Sequence, residues 1–424
     1  MIDLKWIREH PDQARAALGR RGGDVVALVD RALELDAQWR ERLQRVERLK
    51  AQRNAASEEV ARLKRAGQDA SSMIAELKTL SDSIKQLDTE VRELEEQLRE
   101  ILLRIPNRPM EDVPDGDATC NRVVFSWGEP RRFDFEPKPH WELGQRLGIL
   151  DLPRGAKVAG SGFPVFTGAG ARLVRALISF MIDLHTREHD YVEVAPPLLV
   201  NAATALGTGQ LPDLEKNMYV TEDGLYLIPT AEVPVTNLHR EEILSAEELP
   251  KAYVAYTPCF RREAGAHGKE TRGLIRIHQF DKVELVRFCK PEQSAEEHRK
   301  LVDHAEAVLR RLELPYRRVL LAAGDLGFAS AKTYDLEVWA AGVGMWLEAS
   351  SASCFTDFQA RRANIRYRPS SDAKPEYVHT LNASGVAFPR TLIALLENNQ
   401  EEDGRVRLPQ ALVPYFGSEW LVPQ

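Results

Sequence analysis

The chain has 424 residues, 43% hydrophobic and 29% charged, with a formal net charge of -7. That much apolar material can bury a large core over two or three domains, and the acid excess excludes a passive nucleic-acid coat while allowing a local basic face. No segment approaches the roughly 20 consecutive apolar residues needed to span a bilayer, and the charged N-terminus has no apolar signal core, so a cytoplasmic protein without a membrane partner is expected.

The first predicted element is an arm. Residues 31–105 carry many charges, no proline and a single glycine, Gly67. Val46, Leu49, Arg53, Ala56, Val60 and Leu63 recur at alternating steps of three and four, as do Leu77, Leu80, Ile84, Leu87, Val91, Leu94, Leu98, Ile101 and Ile105. This is a coiled-coil seam on two limbs. The link at 64–73 is short and polar, which predicts an antiparallel hairpin. A limb of roughly 35 residues would reach ~50 Å. The first limb has a charge balance of +5 over residues 39–65, the second -3 over 73–105. Arg40, Arg45, Arg48, Arg53, Arg62, Lys64 and Arg65 therefore read either as a basic ridge for phosphates or as solvated charge with cross-limb ion pairs.

A proline- and acid-rich stretch at 106–117 ends the hairpin, and residues 108–135 are read as a linker to a second domain over 136–424. Residues 171–188 predict an amphipathic helix with Leu173, Leu177, Met181 and Leu184 on one stripe. Residues 191–195 predict a strand stopped by Pro196 and Pro197, and 253–261 and 274–288 predict longer strands. Strand runs with helices at their edges indicate an α+β domain with a mostly antiparallel sheet. There is no doubly wound βαβ series, no GxGxxG and no P-loop, so a nucleotide would have to bind in another way. Cys120, Cys259, Cys289 and Cys354 are far apart without a CxxC pair and read as reduced thiols, with no zinc expected.

The chemistry concentrates in residues 259–284. Strand periodicity groups Arg261 with Glu263, and Arg276, His278, Phe280, Lys282 and Glu284 with one another. Arginine can fork onto phosphate and an aromatic face can stack on a purine. By geometry alone, an ion-paired sheet face accounts for these residues as well.

From about residue 168 to 400 the chain resembles the bacterial seryl-tRNA synthetases, class II enzymes. Residues 171–197 look like motif 1, which in that family builds the dimer interface; 260–284 look like motif 2, and 381–400 like motif 3. Three family signatures lie between: 207–212 (GTGQLP), 229–234 (PTAEVP) and 348–351 (EASS). The N-terminal hairpin matches too, so the resemblance covers essentially the whole chain.

The resemblance implies a class II antiparallel sheet with flanking helices behind an N-terminal tRNA-binding domain over residues 1–107, whose arm is a coiled-coil hairpin. It implies activation of L-serine by ATP with Mg2+, transfer to tRNA(Ser) and to tRNA(Sec), and a homodimer. Arg261, Glu348 and Arg390 are the implied catalytic residues. Thr230, Ala231, Glu232, Arg261, Glu284 and Ser384 would bind serine. Arg261, Arg262, Glu263, Ile277, Phe280, Glu348, Ala349, Ser350, Ser351 and Arg390 would bind ATP: Arg261 at the α-phosphate, Glu263 at the adenine amino group, Phe280 stacked on the ring and Arg390 at the far phosphates. Glu348 and Ser351 look like magnesium ligands, and oxygen donors suit that ion. A serine carboxylate is already nucleophilic at neutral pH, so no general base is needed; His267 on the motif 2 loop reads as a phosphate or tRNA contact.

The chain departs from the family at Ala349, where isoleucine is usual, at Pro389, where glycine is frequent, and at Ala383 within an Asn-Gly-Ser motif. A repacked core explains the first and a helix start the second. A specialised or antibiotic-resistant paralogue is one alternative. An amino-acid:carrier-protein ligase is another, although such relatives lack the arm. A non-catalytic adaptor would be expected to have lost Arg261, Glu263 or Arg390, and all three are present.

Overall fold

The computed structural model describes residues 1–264 and 272–423. His267 lies outside the described residues. The chain forms two compact units, Ile2–Pro106 and Asn107–Gln424, the latter joined by Met1.

The first unit is helical. Two short helices, α1 (Leu4–Glu9) and α2 (Pro11–Gly19), precede α3 (Val25–Arg65, 41 residues) and α4 (Ser71–Arg104, 34 residues). At the α-helical rise these long helices measure about 60 and about 50 Å. The helix α3 starts six residues before the arm expected from residue 31, because its apolar face continues back to Val25; Gly22 and Gly23, both at positive φ, lie in the turn that separates it from α2. Every residue of the expected seam is buried or half-buried; Val46, Val60, Ile84, Leu87, Leu98 and Ile105 are the buried ones. Arg42 pairs with Glu90 at 3.1 Å and Lys50 with Asp88 at 3.0 Å across the limbs. At the root of α3, Asp36 is buried and held by Arg8 at 2.7 Å and Arg40 at 3.1 Å.

The second unit is built on an eight-stranded sheet. In chain order its strands are β1 (Arg122–Trp127), β2 (Val192–Glu193), β3 (Lys251–Phe260), β4 (Gln279–Cys289), β5 (Tyr316–Leu320), β6 (Lys332–Ala340), β7 (Met345–Thr356) and β8 (His379–Ala387). Their spatial order is β1-β5-β6-β7-β8-β4-β3-β2. All neighbours are antiparallel except β2 and β3. The fold is the expected α+β class.

Helices α5 (His140–Arg146), α6 (Ala169–Glu188), α7 (Glu232–Thr236), α8 (Ser294–Arg311), α9 (Phe358–Ala363) and α10 (Phe388–Asn398) pack around the sheet. The stripe expected on α6 is buried at all four positions. Pro389 falls in the first turn of α10, and Ala349 is buried in the main core, as the departures at these positions suggested.

Two strand expectations are corrected. Only residues 192 and 193 of the 191–195 run pair in the sheet. The return strand begins at Gln279, not 274, so Arg276 and His278 do not share a strand face with Phe280, Lys282 and Glu284. The ladder stops because the His278 N–H turns outward to the Gly162 carbonyl at 2.8 Å. Glu263, at φ 49°, likewise leaves the extended path of β3.

Candidate active site

The innermost part of the site lies where β4 and β8 run side by side. Register places Ser384 opposite Glu284, and a bulge between Ser384 and Ala387 then resets the pairing to bring Ala387 opposite Lys282. Alternation along β4 directs Lys282 and Glu284 to one face. Thr230, Ala231 and Glu232 approach that face from the start of α7. All six of Thr230, Ala231, Glu232, Lys282, Glu284 and Ser384 are buried.

The acids there are tightly held. Lys282 Nζ lies 2.5 Å from Glu284 Oε2 and donates to Thr230 Oγ1 at 2.8 Å. One amide nitrogen of Asn382 donates to Glu284 at 2.7 Å and to Glu232 at 2.9 Å. Gln359, on α9, donates to the other oxygen of Glu232 at 2.6 Å, and its own oxygen accepts from Thr380 at 2.7 Å. Burial, followed by the neighbouring Glu284 charge, pushes the Glu232 carboxyl up to about 7. One buried lysine thus faces two buried carboxylates. The imbalance favours a cation of ligand size.

A cavity of about 430 Å³ opens beside these acids, bounded by Thr230, Glu232, Arg261, Glu263 and Arg276 among others. Arg261 links it to a second groove formed by Ile277, Phe280, Glu348, Ala349, Pro389 and Arg390. The Arg261 guanidinium lies 5.2 Å from the Phe280 ring centre and donates from Nε to the Pro229 carbonyl at 3.3 Å. A flat ring, two arginines and a half-buried wall suit a planar anion.

Several side chains expected in this groove have protein partners. Glu263 is ion-paired with Arg276. Arg390 donates to the Glu348 carbonyl at 2.7 Å and approaches its carboxylate at 3.2 Å. Ser350 is buried and donates to the Ser384 carbonyl at 2.5 Å, tying β7 to β8. Arg262 is exposed, and its backbone N–H meets the Asn217 carbonyl at 3.0 Å. Ser351 bonds Asp335 on β6; burial first, then the Glu348 charge, raises that carboxyl well above its usual range.

The seven basic residues of the arm lie along α3, in the other unit. Arg40 is spent on Asp36 and Arg62 on Glu59. Arg45, Arg48, Lys64 and Arg65 are exposed.

Sequence reasoning did not assign roles to Lys282, Asn382, Gln359, Thr380 or Asp335. Lys282 alternates with Glu284 and Asn382 with Ser384, so strand period could have placed both in the pocket. Gln359 had no such signal, since it reaches Glu232 from a helix 127 positions away.

Both parts of the chain also match known families. Residues 218–399 match the model of the tRNA synthetase class II core domain (G, H, P, S and T), and residues 1–109 match the seryl-tRNA synthetase N-terminal domain. The chain is 61% identical to a serine–tRNA ligase of Desulforudis audaxviator, over 98% of both chains. It is 55% identical to that of Gemmatimonas aurantiaca, over 98% of this chain and 99% of the relative. Among solved structures, seryl-tRNA synthetase from Pyrococcus horikoshii complexed with ATP superposes with a TM-score of 0.96 at 40% identity, covering 100% of each chain. The cytoplasmic serine–tRNA ligase of Naegleria fowleri in complex with AMP gives 0.89 at 30% identity, over 100% of this chain and 99% of that one. With this sheet, this hairpin and relatives alike over their full length, the chain belongs to the seryl-tRNA synthetase family, the serine–tRNA ligases of class II.

Proposed function

We propose that the chain activates L-serine with ATP and transfers the seryl group to tRNA(Ser), and to tRNA(Sec) where a host has one. The observation that carries this reading is the excess of one buried carboxylate over buried lysine at Glu232, Glu284 and Lys282. A serine ammonium would supply the missing charge. Thr230, Glu232, Glu284 and Ser384 would bind the ammonium and hydroxyl around the Ala231 backbone, and Arg261 the carboxylate. A pocket whose donors and acceptors are built for a hydroxyl rejects alanine, which leaves them unpaired.

ATP would occupy the adjoining groove, with adenine on Phe280 against Ile277 and Glu263. Arg261 would meet the α-phosphate and Arg390 the far phosphates. A serine carboxylate oxygen then attacks the α-phosphorus, a new P–O bond forms, and pyrophosphate leaves with the electrons of the broken bond. Arginine forks neutralise the charge that develops. Glu348 and Ser351 would hold magnesium. The donors are all oxygens, and Asp335 Oδ1 beside them is buried without a hydrogen-bond partner, which fits a dication. Magnesium when bound would neutralise the triphosphate. Using these contacts requires Glu263 and Arg390 to exchange their present partners.

Residues 1–107 would serve as the tRNA-binding domain and 136–424 as the catalytic domain, with 108–135 between them. The exposed residues Arg45, Arg48, Lys64 and Arg65 are the arm positions best placed for phosphate. The edge strand β2 with α6 would pair with a second copy, since Val192 is 59% exposed. Among the described residues no helix is long and apolar enough to cross a membrane.

The test is ATP–pyrophosphate exchange with each of the twenty amino acids, followed by charging of serine tRNA. Exchange with serine alone is expected. Exchange with another amino acid, or with none, defeats the proposal. Deleting residues 35–100 should leave exchange intact and abolish charging; charging that survives removes the arm's assigned role.

A further inference from the structure

Residues 274 and 275 form part of the wall of the nucleotide groove, and both connect to α10, Ile275 directly and Leu274 through His140 of α5. Near its start α10 presents Arg390, whose Nε meets the Ile275 carbonyl at 3.4 Å. Near its end it presents Glu397, which is fully buried. One oxygen of Glu397 accepts from the His140 backbone N–H and lies against ring Nδ1 of the same residue, both at 2.8 Å. The other accepts from the Gly342 and Val343 amides at 2.8 and 3.1 Å.

The far ring nitrogen of His140, Nε2, accepts the Leu274 N–H at 2.9 Å. A backbone amide can only donate, so Nε2 carries the lone pair and the proton sits on Nδ1, toward the carboxylate. His140 is completely buried. The chain passes so close that a Cβ added at Gly273 would lie 2.2 Å from Nε2. The neighbouring Trp141 ring takes the Arg272 guanidinium at 4.3 Å. Neither His140 nor Glu397 lines the groove.

We propose that His140 is a positioning residue for nucleotide binding: it couples the C-terminal half of α10, through Glu397, to the Leu274 amide and thereby sets the groove wall. Arg390 governs the next residue from the same helix, so the floor and the phosphate contact move as one piece. This rests on the reading that ATP occupies that groove. Serine, bound at the buried acids, does not depend on the Leu274 wall.

The intact chain tests it through two variants that fill the same space differently. His140→Asn keeps a donor near Glu397 and loses the acceptor for Leu274; His140→Gln puts an oxygen near the Nε2 position. ATP affinity by calorimetry, and the separate KM values for ATP and serine in exchange, are the readouts. For His140→Asn, ATP should bind about tenfold more weakly, the scale of one lost bond to a buried amide, with the serine KM within about twofold. His140→Gln should recover most of the loss. Should His140→Asn not fold, Glu397→Gln weakens the same chain and should show the same split at about threefold. Equal changes for ATP and serine, no change, or Asn and Gln variants that behave alike would overturn the inference. Calorimetry with ATP alone reads it even if serine-dependent exchange fails, an outcome that would instead count against the proposed reaction.

Discussion

The hairpin and the buried acid pocket use the same kinds of residue in opposite ways. On the hairpin, Arg42–Glu90 and Lys50–Asp88 sit at the surface of a seam whose apolar residues carry the packing. Such pairs gain little, because water competes for both partners and side-chain entropy is lost. In the pocket, Lys282, Glu284 and Glu232 are out of water and every partner is needed. Charge density alone therefore says nothing about energetic weight. Burial and the number of fixed donors decide it.

Four experiments would break or sharpen that contrast. The largest effect is expected from Lys282→Met, which leaves two buried carboxylates without their cation; serine-dependent exchange should fall about a thousandfold, the scale of a broken buried pair. A fall under tenfold would mean that water reaches these acids. On the hairpin the comparable loss should come from an apolar residue. Leu87→Ala should destabilise α4 by about 3 kcal/mol, read by hydrogen exchange, while exchange of pyrophosphate is unchanged.

The third concerns proton binding at Glu232, which faces Glu284, Lys282, Gln359, Asn382 and Arg261. Folding raises this carboxyl to about 7, so the empty pocket is most stable with the proton on and loses stability as pH climbs from the ordinary carboxyl range up to that value. The serine ammonium prefers the ionised form and works in the opposite sense. The serine KM should therefore fall about tenfold between pH 6 and 8, and the ATP KM should stay level; a flat serine profile would show that Glu232 does not take the ammonium. The smallest effect is expected for Arg42→Ala: at most about 1 kcal/mol, seen as a small shift in melting temperature.

The hairpin was almost fully readable in the sequence. A repeat of three and four is a local pattern that directly places residues on a seam; the structure differs at the start of α3 and at the link, which spans 66–70 in place of 64–73. The sheet was readable at Phe280, Lys282 and Glu284, where alternation survives, and unreadable at 274–278, where a backbone amide bonds to Gly162 in place of the ladder. Similarity to a known family pointed to Glu232, Glu284 and Ser384, but the Gln359 amide that holds Glu232 comes from long-range packing. Gln359 and Asn382 meet at Glu232 only because α9 and β8 converge there. The same is true of His140, which has no pattern of its own and gains its place through Glu397 and Leu274.

The hydroxyl of Thr380 has a consequence for redesign. By donating to Gln359 Oε1 it adds to the bonds from the NH2 end to Glu232 and the Thr208 carbonyl, which together fix the amide's orientation. An engineer seeking a different amino acid would gain little by editing the two acids alone. Gln359 offers a donor to whatever side chain replaces Glu232, so Gln359 and the Thr380 that orients it would have to change together with the acids.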